Sequence, residues 1–114
     1  NADATEKALV CYDNIHWILG GQPKEGGIDS LVPHFQRIKH AYLIGDAAED
    51  FAQVLEGRVP YTLSGSMLMA VTRAAATAEP GDVVLLSPAC ASWDQFKSFE
   101  HRGDVFRQLV EAQR

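Results

Sequence analysis

The sequence predicts an α/β fold, with a mostly parallel sheet held between two layers of helix in a single domain. Three observations predict it. Short apolar runs alternate with longer segments at helical spacing along the whole chain. The connections between them are brief and carry Gly, Pro and Asp. The strand candidates are almost continuously apolar rather than alternating, as in strands covered on both faces.

Each element follows from its own residues. Residues 3–12, DATEKALVCY, read as a helix, with Asp3 or Thr5 at its start and Ala8, Leu9 and Tyr12 at helical spacing. NIHWIL, residues 14–19, reads as a buried strand that runs into Gly20-Gly21. QPKEGG is a loop by every local rule. Residues 28–38 read as a short helix that tolerates Pro33 in its first turn. KHAYLIG, residues 39–45, is a second strand, and Asp46 opens the helix DAAEDFAQVL, which Gly57 ends. A third, shorter strand falls within residues 58–63, interrupted by Pro60. Ser66 caps SMLMAVTRAAATA, apolar on nearly every side and so expected to be well buried. Glu79-Pro80-Gly81-Asp82 stops it, DVVLLS is the fourth strand, and a last helix begins near Asp104. The order is Rossmann-like in the loose sense, with no internal repeat or low-complexity tract.

Composition narrows the function classes. The chain has 114 residues, 46% hydrophobic and 22% charged, which suits one packed domain. A net charge of −5 with no run of Lys or Arg argues against a nucleic-acid or anionic-membrane partner. No apolar stretch approaches the roughly 18 residues that cross a bilayer, so membrane insertion is not expected. Cys11 and Cys90 stand far apart without metal spacing, the pattern of a reducing cytosol. The N-terminus has no signal-peptide pattern and no initial Met, which suggests a piece of a larger protein.

Ligands of open parallel sheets gather at the carboxyl ends of strands. Three segments leave such ends. LGGQPKEGG places Lys24 among four glycines but has neither the P-loop nor the GxGxxG order, so it reads either as a solvated loop or as an anion cradle. IGDAAEDF is explained by a helix cap at Asp46. LLSPACASWDQF holds small residues that admit a tight turn and close approach of a ligand, with Ser92 or Asp94 placed to cap a short helix over 95–99. Cys90 has no base tied to it by any motif and reads as a buried structural thiol rather than a nucleophile. Ser92 lacks the GxSxG context of a hydrolase. Trp93 and Phe96 read as core anchors, and Phe99 fits either core or ligand pocket. His101-Arg102-Gly103 reads as the break before the last helix, its side chains either solvated, the favoured reading, or within reach of a phosphate.

These residues carry a resemblance. SPACASWDQFKSFEHRGDVF, the Ile18-Leu19-Gly20-Gly21 stretch with Lys24, and Asn1-Ala2 as the tail of a DSKATN motif resemble the C-terminal domain of the D-glutamate-adding Mur ligases. The resemblance covers the whole chain. It implies that residues 1–114 are a Mur ligase C-terminal, amino-acid-binding domain of the three-layer Rossmann-like type. The UDP-binding and central ATPase domains would then lie outside this chain. It further implies a cytoplasmic bacterial enzyme of peptidoglycan synthesis that uses ATP and Mg²⁺, bound mainly by the central domain. That enzyme joins D-glutamate to UDP-N-acetylmuramoyl-L-alanine through an acyl phosphate. By the same resemblance Lys24, Ser92, Trp93 and Phe99 receive D-glutamate. Trp93 stands where the family often has a smaller apolar residue, which leaves its backbone N–H as the contact. No catalytic residue or metal ligand falls in this segment, and the isolated domain is expected to be inactive. A stand-alone module for a small anion or a protein partner, and a small hydrolase using Cys90 or Ser92, are the competing expectations.

Overall fold

The computed structural model describes residues 2–22, 27–90 and 95–113. Its elements follow in the order α1 (Ala2–Leu9), β1 (Ile15–Gly20), a 3₁₀ segment (Asp29–Arg37), β2 (Ile38–Ile44), α2 (Ala48–Leu55), β3 (Tyr61–Gly65), α3 (Met67–Thr77), β4 (Val83–Leu86) and α4 (Phe99–Ala112). The four strands form one sheet in the order β3-β2-β1-β4, and every pairing is parallel. The expected α/β class and parallel sheet are therefore present.

Alternation along the strands builds two cores. Ile15, Trp17 and Leu19 of β1 and Ala41 and Leu43 of β2 face α1, the 3₁₀ segment and α2, meeting Leu9, Leu31, Phe35, Phe51 and Leu55. Ile18, Tyr42 and Ile44 face the other way, onto Met67, Ala70, Val71 and Ala74 of α3, with Val105, Phe106, Leu109 and Val110 of α4 beside them. A strand flanked on both sides has no polar face, which is why β1 is buried at all six positions.

Several boundaries differ from expectation for identifiable reasons. Residues 29–37 are 3₁₀ rather than α, because Pro33 falls beyond the first turn, where it supplies no N–H and crowds the carbonyl one turn back. β3 starts only after Pro60, whose carbonyl still accepts from Ala41 N–H at 2.9 Å. Ala47, not Asp46, occupies the N-cap of α2 and makes no side-chain capping bond. Ser66 caps α3 as expected, accepting from Met69 N–H at 3.3 Å. However, α3 is buried on one face only, with Leu68, Met69, Thr72, Arg73, Ala75 and Ala76 exposed on the other. Residues 95–98 form no helix. The last helix starts at Phe99, five residues earlier than expected, so His101-Arg102-Gly103 lies inside α4 and is no break. Ser98 Oγ accepts from His101 N–H at 3.1 Å and His101 Nδ1 accepts from Lys97 N–H at 3.1 Å, a pair of caps strong enough to start the helix there.

Candidate functional site

The strand order locates the site. From β1 the chain winds outward through β2 to β3 with its crossovers on one face. It then returns through α3 on the opposite face to place β4 on the far side of β1. β1 and β4 are thus neighbours whose following helical elements, the 3₁₀ segment and α4, pack on opposite faces, and the candidate crevice is at their carboxyl ends, the switch point where open α/β sheets take ligands. The segment after β1 contains Lys24, and the one after β4 contains Ser92 and Trp93. Those three residues lie outside the described residues. Phe99 is described: it begins α4 and is 68% exposed.

The walls of the crevice are fixed by short bonds. Gly20 N–H donates to Pro88 O at 2.9 Å, tying the end of β1 to the turn after β4. Gly20 has φ of +124°, and a Cβ there would sit 1.9 Å from Ile44 O, so only glycine permits this approach of β1 to β2. Gly21 O accepts from Ala47 N–H at 2.9 Å, which joins the same loop to the start of α2. On the β4 side, Trp17 Nε1–H donates to Ser87 O at 2.9 Å, and Ser87 Oγ lies 3.0 Å from Thr5 Oγ1. All three of those residues are buried, so α1, β1 and β4 meet in one satisfied polar knot. Ala89 then takes a φ of +58°, which costs a residue with a Cβ about 1 kcal/mol or more. Cys90 is 3% exposed within the apolar core, as a structural thiol would be. Its carbonyl accepts from Arg102 Nη1 at 2.9 Å. Further along the chain, Gln95 Nε2–H donates to Gly65 O at 2.6 Å, at the end of β3. Phe96 packs against the α3–α4 core, as expected of an anchor.

Two hollows among the described residues lie outside this site. An apolar groove of about 400 Å³ runs between α3 and α4, lined by Ser66, Met67, Leu68, Gln95, Phe96, Val105 and Leu109. A larger one, about 620 Å³, is formed by the consecutive residues Glu56–Tyr61 at the opposite end of β3. The second is the concave side of a single loop with no converging groups from elsewhere, so the strand-exit crevice is the better candidate.

A second polar cluster lies at the amino end of the sheet. His16 Nε2–H donates to Asp82 Oδ2 at 2.9 Å, leaving Nδ1 to face Tyr42 Oη at 2.9 Å. Lys39 Nζ donates to both Asp82 oxygens at 3.0 and 3.1 Å, and Glu79 N–H donates to Oδ2 at 3.0 Å. These donors, the Glu79 amide first and then His16 and Lys39, hold the Asp82 carboxyl well below the usual carboxylate range. The line of hydroxyl, imidazole and carboxylate has the composition of a proton relay. With His16 2% and Tyr42 1% exposed it is sealed from substrate, and it serves to seat β4 on β1 and β2.

Comparison with known proteins fixes the family. The family described as Mur ligase, glutamate ligase domain, matches residues 1–90. The chain belongs to this Mur ligase family. It is 64% identical to the UDP-N-acetylmuramoylalanine--D-glutamate ligase of Rhodospirillum rubrum over 96% of its length, covering 24% of that relative. The ligases of the same name from Paramagnetospirillum magneticum and Nitrobacter winogradskyi are 64% and 61% identical, each over 98% of this chain and 25% of the relative. The chain thus spans about a quarter of the length of these relatives. Among the described residues no helix is long and apolar enough to cross a membrane. What sequence reasoning missed in this Mur ligase domain is the set of residues that hold the crevice in shape: Thr5, Trp17, Ser87 and Arg102. None of them carries a motif of its own; each is found only through a partner distant in sequence.

Proposed function

We propose that this chain is the amino-acid-receiving domain of a ligase that joins D-glutamate to UDP-N-acetylmuramoyl-L-alanine in bacterial peptidoglycan synthesis. The observation that carries the reading is the Gly20–Pro88 tie at the switch point, 2.9 Å long. It brings together the origins of the Lys24 loop and the Ser92 turn, the two segments that resemblance assigns to the substrate. D-glutamate has two carboxylates and one amine. Lys24 supplies a cation for one carboxylate, Ser92 Oγ–H and the backbone N–H of Trp93 supply donors for the other, and Phe99 lines the pocket. Charge-assisted bonds of this kind are the stronger class. They would hold the amine toward an activated carboxyl group, so the contribution of this domain is positioning.

ATP and Mg²⁺ belong, on this reading, to the rest of the enzyme. They would be bound mainly by the central domain, with this domain closing over the nucleotide: the chain has no GxxxxGK[ST] stretch, and among the described residues no three His, Cys, Asp or Glu side chains converge. No chemical step is therefore assigned to residues of this chain, and the domain alone should not turn over ATP. A cytoplasmic location follows from the nucleotide substrates such an enzyme would need.

The test is steady-state kinetics of the full-length ligase with each substrate varied in turn. Lys24→Ala and Ser92→Ala should each raise KM for D-glutamate by about tenfold or more, the loss of one charge-assisted bond, while KM for ATP moves little. Unchanged D-glutamate kinetics in both variants would remove the site assignment and favour a binding module of other purpose on the same fold.

A further inference from the structure

We infer that Arg102 is a positioning residue for the amino-acid site, acting through the carbonyl of Cys90. The inference rests on the reading above, in which Ser92 and Phe99 meet D-glutamate. Arg102 follows Phe99 by three residues on α4, so the two side chains share a helix face. Its Nη1 donates to Cys90 O at 2.9 Å. Cys90 precedes Ser92 by two residues in the chain. One guanidinium therefore links the helix that carries Phe99 to the turn that leads to Ser92.

The turn requires a hold at this point. Ala89 sits at φ +58°, a conformation that persists only where surrounding contacts impose it. The bonds from Trp17 and Gly20, and the Thr5–Ser87 contact, all act on Ser87 and Pro88, before Ala89. Arg102 acts after it, so the strained residue is gripped from both sides. A guanidinium suits the task, because it remains charged and its bond to a carbonyl is stronger than that of a neutral donor. Its base is also well fixed: Ser98 caps the helix turn below it, and the Phe96 ring meets His101 edge-on with centroids 5.6 Å apart.

The full-length ligase tests this by varying D-glutamate, ATP and the UDP-linked substrate separately. Arg102→Met keeps the apolar stem and removes the donors. It should raise KM for D-glutamate about tenfold and leave the other two KM values within about twofold. Arg102→Lys, which keeps a charge but loses the planar fork, should give a smaller rise of about threefold. An unchanged D-glutamate KM in both variants overturns the inference, and so does an equal rise in all three KM values with a lowered unfolding midpoint, the mark of a plain structural staple. If the Met variant does not fold, the Lys variant decides by the same criterion. Ser92→Ala measured alongside separates the two claims. If it raises KM for D-glutamate while Arg102→Met does not, only the role of Arg102 falls. If neither Ser92→Ala nor Lys24→Ala moves that KM, the site reading falls and this inference with it.

Discussion

Gly20 shows how a single residue can fix the edge of a site. Its amide reaches Pro88 across the crevice while its α-carbon lies against the carbonyl of Ile44, leaving no room for a methyl group. A Cβ at 1.9 Å from backbone cannot be relieved by a rotamer change; β1 or β2 must move. Gly20→Ala should therefore destabilise the chain by at least about 3 kcal/mol, combining the clash with a φ that L-residues avoid. Urea denaturation measures this directly, and a loss below about 1 kcal/mol would mean that the two strand ends separate easily. Glycine at this position was legible in the sequence as a loop signal after a strand. Its reason was not, because the obstructing carbonyl belongs to a residue 24 positions away.

At the scale of elements, local chemistry and tertiary contact divide the outcome. The existence of the strands was readable because β1 and β2 are nearly continuous apolar runs, broken only by His16 and by Lys39-His40, and each run ends at glycine. Ser66 was readable as a cap because the apolar helix begins at the next residue. The start of α4 was not: Gly103 looks like punctuation, whereas the deciding signal is the pair of caps in which Ser98 Oγ takes His101 N–H and His101 Nδ1 takes Lys97 N–H, upstream of it. Two substitutions separate these readings. Ser98→Ala should cost about 1 kcal/mol, the usual loss of an N-cap. Gly103→Ala should instead stabilise by about 0.5–1 kcal/mol, since a Cβ there meets nothing within 4 Å and glycine is a poor helix former. Thermal or urea unfolding of both variants decides, and a destabilising Gly103→Ala would mark a true helix break. For the candidate site, the sequence pointed to the strand-exit loops. It did not identify the switch point, because strand order depends on pairings between residues as far apart as Ile18 and Leu86. Lys24 and Ser92 came from resemblance rather than from any spacing rule.

At the scale of the whole molecule, the polar cluster at the amino end of the sheet gives stability a definite pH profile. Burial lowers the affinity of His40 for a proton, and the nearby His16 adds to this, so its folded pKa lies below the ordinary value. The unfolded chain then takes up that proton first as pH falls. The contribution of neutral His40 is complete above about pH 6.5 and is lost as pH drops below it. Asp82 is depressed in the same direction, by the Glu79 amide, His16 and Lys39. Its contribution is complete above about pH 4 and is lost only at stronger acid. Burial raises the phenol of Tyr42, and the bond to Asp82 raises Lys39. Both of these contributions are present below about pH 10 and decline as pH rises past it. Stability should therefore show a plateau between roughly pH 6.5 and 10, with two separate steps on the acid side. His40→Gln, which keeps an amide donor for the Thr62 hydroxyl that now lies 2.7 Å from Nε2, should remove the first step and leave the second. Asp82→Asn should remove the second and leave the first. Urea midpoints measured from pH 3 to 8 read both. If the wild type and His40→Gln fall in parallel between pH 7 and 5, the acid response lies elsewhere in the molecule. If the two steps instead appear and vanish with their own residues, the amino end of the sheet sets the acid stability of the chain.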